Sequence, residues 1–154
     1  MPKQQTEHLF QLIKSLSKSE KRNFRLYVTR FKNGEDPKFL QLFDLIDKQE
    51  VYNEQEVLKK AKGIKAQQLS NLKSHLYKQL LKSLRLQNIP FDTEISTREL
   101  IDYAKVLYNK SLYKQTLKTL EKAKFNARKY QKLSLELEII EFEIREFKKV
   151  FPIK

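Results

Sequence analysis

His8 and His75 are the only imidazoles in the chain, and neither has a His or Glu partner at the spacing a metal site needs. Both read as surface polar residues. Two carboxylate pairs are the next candidates for chemistry: Asp44 with Asp47, and Glu136 with Glu143, each share a predicted helix face. Such a pair could serve general acid and base roles, but on amphipathic helices this spacing serves ion pairs with lysine. Cysteine is absent, so there is no thiol nucleophile and no thiolate metal site. The two glycines, Gly34 and Gly63, lie too far apart for a phosphate-cradling loop, and no G-x-S-x-G elbow occurs. No catalytic, cofactor-binding or metal-binding residue emerges. The chain reads as a non-enzyme with no cofactor and no small-molecule substrate.

Binding is better supported than catalysis. From Val57 to Phe91 the chain carries eight Lys or Arg and no Asp or Glu. Within that stretch Leu69, Leu72, Leu76, Leu80 and Leu84 recur at steps of three and four, which predicts a helix with one core face. Its opposite face collects Asn71, His75, Lys78, Lys82 and Arg85, a cationic row along which a polyanion could lie. A solvated face that keeps the helix soluble is the plainer reading of the same row.

The elements that must carry this face follow from composition. The chain has 154 residues, only two Gly and four Pro, and an abundance of Leu, Lys, Glu and Gln, all of which favour helix. An all-α protein is expected. The formal net charge of +13 makes nucleic acid, anionic lipid or an acidic protein candidate partners. Residues 1–34 hold eight basic and two acidic groups, residues 35–56 two and seven, and residues 106–134 eight and one. No apolar run is long enough for a signal peptide or a membrane span, which with the missing cysteines points to the cytoplasm and to no membrane partner.

About eight helices are expected. The first covers Thr6 to Leu16, and Ser17 with Glu20 forms a capping box for a second that runs to Phe31. The segment NGEDP breaks that helix, and Asp36 with Pro37 starts a third, apolar enough to be central, which ends near Lys48. Asn53 and Glu56 repeat the box for a short helix through Ala61, and Gly63 supplies the left-handed residue that can end it. The long basic helix covers Lys65 to Leu86 and stops before Pro90. Ser96 and Glu99 make a third box for a helix to Asn109, followed by helices over Leu112–Tyr130 and Leu133–Lys149, with Pro152 beyond. Residues 88–95 mark the boundary between an N-terminal helical bundle, 1–92, and a second domain, 93–154.

Within that second domain Leu100, Tyr103, Ala104, Leu107, Tyr113, Leu120 and Ala123 alternate large and small residues in the manner of a tetratricopeptide hairpin, which residues 97–130 resemble. Thr116 stands where a small alanine is usual, and Arg128 where that pattern ends in proline. The larger pattern, LIKSLSKSEKRNFRLYVTRF, FLQLFDLIDKQ, LKSHLYKQLLKSL and LYKQTLKTLEKAK, resembles the N-terminal segment of a family of longer, uncharacterised bacterial all-helical proteins. That resemblance implies further helical repeats after this segment and no catalytic residue. SNLKSHLYKQLLKSL is similar to the recognition helix of LuxR-type helix-turn-helix regulators, which would turn Gln67, Gln68, Ser70, Asn71 and Ser74 toward DNA. Lys59 and Lys62 depart from that motif, which wants a small and an apolar residue at those places.

The last helix is apolar on two sides. Leu133, Leu137, Ile140, Ile144 and Phe147 are expected to pack on the two preceding helices, leaving Leu135, Ile139 and Phe142 as an association face. A following helical repeat or a second copy would cover that face, making the chain a fragment or a dimer. The reading from sequence is therefore a non-enzymatic helical scaffold or protein-protein interaction module, with another protein, following repeats or a self-association mate as partner. The alternative is a nucleic-acid-binding protein using residues 54–86. Tyr52, Tyr77, Tyr108 and Tyr130 would then be the aromatics available for stacking on bases.

Overall fold

A computed structural model describes the backbone of residues 2–30 and 36–147, with side chains over 7–30 and 38–147. Every regular element among them is helical: α1 Pro2–Ser15, α2 Lys18–Arg30, α3 Asp36–Asp47, α4 Glu54–Lys60, α5 Ala66–Asn88, α6 Thr93–Asn109, α7 Tyr113–Lys129 and α8 Leu133–Phe142. A π turn at Glu143–Phe147 continues α8. The protein is all-α, with eight α-helices and no strand among the described residues. The expected break at Asn33 and Gly34, the side-chain cap at Asp36 and Pro37, the place of Phe31 and the tail with Pro152 lie outside the described residues.

The chain divides into two compact units, residues 1–87 and 88–154. In the first, Ser17 joins α1 to α2 by the reciprocal box: its N–H donates to Glu20 Oε2 at 2.7 Å while its Oγ accepts from the Glu20 N–H at 3.2 Å. Each bond satisfies a donor that a helix start leaves open. Helix α3 supplies four buried side chains, Phe39, Leu42, Phe43 and Ile46, to a core shared with Leu9 and Ile13 of α1, Phe24 and Val28 of α2, and Leu69, Leu76 and Leu80 of α5. The polar side of α3 is tied to α2 by Lys21–Asp47 and Arg25–Asp44 ion pairs, each 2.6 Å.

At α4 the cap is one-sided. Asn53 accepts from the Glu56 N–H at 3.1 Å, but the Asn53 N–H goes to Gln49 Oε1 at 3.0 Å instead of to Glu56. Gln49 also donates to the Asn53 carbonyl at 3.0 Å, so this buried amide pairs with both backbone groups of one residue. Gly63 follows with φ +75°, the left-handed conformation that glycine adopts without a Cβ penalty.

In the second unit α6 begins four residues earlier than expected from a cap at Ser96. Asp92 is its cap, accepting from the Glu94 and Ile95 N–H groups at 2.8 and 3.0 Å, whereas Ser96 lies inside the helix and donates to the Thr93 carbonyl at 3.0 Å. The α6–α7 and α7–α8 connections are the same turn. Ser111 and Gln131 take φ of +59° and +55°. In the first turn Leu112 N–H reaches Leu107 O at 3.1 Å and Ser111 N–H reaches Tyr108 O at 2.8 Å; in the second Lys132 reaches Ala127 at 2.7 Å and Gln131 reaches Arg128 at 3.1 Å. Both are Schellman closures, which satisfy carbonyls that a helix end leaves open.

The core of this unit is built from Ile101, Ala104, Leu120, Ala123, Ala127, Leu135, Ile139 and Phe142. Thr97 and Thr116 are fully buried with them, their hydroxyls donating to the carbonyls of Thr93 and Leu112 at 2.7 and 3.1 Å. These bonds within the helix let a threonine occupy an apolar position without an open donor. The orientation of α8 is the reverse of that expected: Leu135, Ile139 and Phe142 are buried and Leu133, Leu137 and Ile144 exposed, with Phe147 of the expected inward set packed on the core beyond the π turn. The Glu136–Arg128 and Glu143–Lys124 ion pairs, both 2.6 Å, accompany this orientation.

Candidate functional site

In the first unit, the expected two-faced character of α5 is present. Leu69, Leu76 and Leu80 are buried and Leu72 and Leu84 half-buried, with Asn71, His75, Lys78, Lys82 and Arg85 all exposed on the other side. Asn71, His75, Lys78 and Lys82 line one hollow of about 300 Å³ together with Ser74 and Gln79. The His75 ring stands edge-on to Phe39 of α3, centroids 4.8 Å apart, and its Nε2 lies 2.9 Å from Gln79 Nε2. Arg85 lies beyond the hollow, one helical turn from Lys82. Of the residues that the helix-turn-helix resemblance would turn toward DNA, Gln67, Gln68, Ser70 and Asn71 are exposed and Ser74 is half-buried. Gln67, Gln68 and Asn71 line a second hollow of about 300 Å³ with Lys38 of α3. Lys38 sits in the acidic block of the sequence, where nothing in the local pattern connects it with α5.

Lys73 departs from the basic row. It is buried, donates to Glu54 Oε2 at 2.6 Å and places its ammonium 5.6 Å over the Tyr52 ring. The Tyr52 hydroxyl donates to the same Glu54 oxygen at 3.3 Å. Burial first, then the charge and hydrogen bond of Glu54, push the Tyr52 phenol well above its ordinary range, since each disfavours a phenolate. Glu56, in contrast, is held below the ordinary carboxylate range, chiefly by its hydrogen bond and attraction to Lys60 at 2.6 Å. The Lys73 group fixes α4 against α5 and is structural.

The carboxylates considered for acid-base work all have cationic partners: Asp44 with Arg25, Asp47 with Lys21, Glu136 with Arg128 and Glu143 with Lys124. His8 is exposed at the rim of a hollow of about 340 Å³ with Lys73, Ser74, Tyr77, Lys78 and Leu81. Among the described residues no three His, Cys, Asp or Glu converge as metal ligands, and no helix is long and apolar enough to cross a membrane. Of the four tyrosines considered for stacking, Tyr130 is exposed, while Tyr52, Tyr77 and Tyr108 are half-buried. Tyr108 is further held by a hydrogen bond to the Glu146 carbonyl at 3.1 Å.

In the second unit the outward row of α8, Leu133, Leu137 and Ile144 with half-buried Ile140, is a continuous apolar face. Leu135, Ile139 and Phe142, expected as the association face, cannot serve, because their own unit covers them. A comparison with known protein families, curated proteins and solved structures finds no match.

Proposed function

We propose that this protein is a non-enzymatic helical interaction module that joins another helix along the outer face of α8. The observation that carries the reading is the exposure of Leu133, Leu137 and Ile144, at 70%, 60% and 51%, on a helix whose other face is already filled. Leu133, Leu137 and Ile140 follow steps of four and three within α8, the spacing of a coiled-coil seam, and Ile144 extends the apolar surface into the π turn, so the complementary shape is one helix lying alongside. Full burial of a Leu or Ile side chain is worth about 1.5–3 kcal/mol, so covering side chains that are already partly shielded gives roughly 1 kcal/mol each.

Stacking of the tetratricopeptide kind is the form we assign to the module. Its support is local: Ala104 and Ala123 are fully buried, as is Thr116, where that pattern usually has alanine. In a longer helical-repeat protein the following repeat would lie on the α8 seam; in isolation the seam suits a second copy about a two-fold axis. Sedimentation velocity across the micromolar range tests this. Dimerisation is expected, and it is lost when Leu133, Leu137 and Ile144 are all changed to Gln while helicity by circular dichroism is kept. A monomer at every concentration overturns the reading.

A further inference from the structure

We infer that the first unit binds the phosphate backbone of a nucleic acid along α5. Two hollows overlap along one flank of that helix, sharing Asn71 and His75, and form one trough; a third, lined by Lys73, Tyr77 and Leu81, lies on the other flank across Ser74 and Lys78. From Gln67 to Lys82 the trough runs fifteen helical steps, or about 22 Å at ~1.5 Å per residue. At ~3.4 Å per phosphate along a strand, that length faces about six phosphates.

No carboxylate lines any of the three hollows. That is not general in this unit, since a fourth hollow of about 350 Å³ is lined by Glu50 and Glu56 beside Lys48 and Lys60. Lys73 is engaged by Glu54 and is left out of the count. Lys38, Lys78 and Lys82 remain in the trough, and Arg85 continues its line. Between the cations stand Gln67, Gln68, Asn71 and Gln79, amides that can donate to phosphate oxygens or to base edges. Tyr77 and Leu81 stand beside Lys78 on the other flank, whereas on the flank of Lys38 and Lys82 the side chains between the cations are mainly amides. The mixture suits a nucleic acid.

The test is fluorescence anisotropy of the whole chain with a labelled mixed-sequence duplex DNA and, separately, a single-stranded RNA. Three cationic contacts, Lys38, Lys78 and Lys82, predict a log-log salt slope of about −2.7 on duplex and about −2.1 on a single strand. The first corresponds to roughly a fortyfold loss of affinity between ~50 and ~200 mM salt, the second to roughly twentyfold. Changing Lys78, Lys82 and Arg85 to Glu should abolish binding with helicity intact. If that variant fails to fold, Lys78→Gln with Lys82→Gln should flatten the duplex slope by about 1.8. A reference variant with Lys114, Lys118 and Lys122 of α7 changed to Gln should bind as the parent does. The proposal is overturned by no binding of either nucleic acid at low salt, by loss of binding in the α7 variant alone, or by equal binding to anionic phosphatidylserine vesicles through the same α5 residues.

Discussion

Lys73 and Glu54 meet at 2.6 Å with unequal surroundings: the lysine side chain is 8% exposed and the glutamate side chain 51%. Removing either partner therefore has a different cost. Glu54→Ala takes the carboxylate away from a largely buried ammonium and should destabilise the protein by about 2 kcal/mol, whereas Lys73→Met leaves a solvated carboxylate and should cost about 1 kcal/mol or less. Urea denaturation of the two variants, compared at equal m-value, checks the asymmetry. Equal losses would show that the pair is no more than a surface contact.

Tyr52 should mark alkaline unfolding. Its phenol is raised in the folded state, so the folded form holds a proton that the unfolded chain releases near the ordinary tyrosine value of about 10. Stability is therefore complete below that pH and falls as pH rises through it. Tyrosinate absorbance should show a late step that coincides with loss of helicity, and Tyr52→Phe should reduce its amplitude by one tyrosine. A Tyr52 that ionises with the exposed tyrosines while helicity is intact would contradict this.

The two Schellman turns offer stabilising substitutions. Ser111 and Gln131 hold positive φ, a conformation that costs a residue with a Cβ and costs glycine little. Ser111→Gly and Gln131→Gly should each raise stability by about 0.5–1 kcal/mol, read as a higher Tm. A lower Tm in both would mean that their side chains contribute more than the backbone costs.

The two faces of α8 should separate in a mutant pair. Leu135→Ala removes a buried side chain and should cost about 3 kcal/mol, while Leu137→Ala, on the exposed face, should alter monomer stability by no more than about 0.5 kcal/mol. Thermal unfolding at low concentration measures both.

Much of the fold is legible in the sequence where a local rule is strong. The Ser17–Glu20 box, the Asn53 side-chain cap and the leucine row of α5 depend on residues three or four apart and form as spacing predicts, whereas the Asn53–Glu56 box is half made and α4 ends at Ala61, two residues before the left-handed Gly63. Asp92 was hidden by a competitor: both it and Ser96 can cap, and the earlier residue makes two bonds where the later one turns to a carbonyl inside the helix. The orientation of α8 could not follow from periodicity, because its two rows are comparably apolar. It depends on what the neighbouring helices offer: a core that takes Leu135, Ile139 and Phe142, and Arg128 and Lys124 placed to meet Glu136 and Glu143. For the candidate site, the exposed row of α5 was readable from its own helical spacing. Lys38 and the burial of Lys73 were not, since both depend on which helix lies alongside.

The π turn at Glu143–Phe147 has a bearing on chain length. In an unbroken α-helix a residue five places on sits about 140° round the axis, so Phe147 would point away from Phe142. Here the rings of Phe142 and Phe147 both stand 5.8 Å from that of Tyr108, and Phe147 is also 6.5 Å from Tyr113. A widened turn is equivalent to one inserted residue absorbed without breaking the helix. Residues 143–147 are thus a place where the chain can change length by one: a deletion there would rewind the coil to ordinary pitch and set the second ring four places after Phe142, about 40° round the axis and still on the Tyr108 side, so the clasp of rings and the core side chains of α8 would both stay in register.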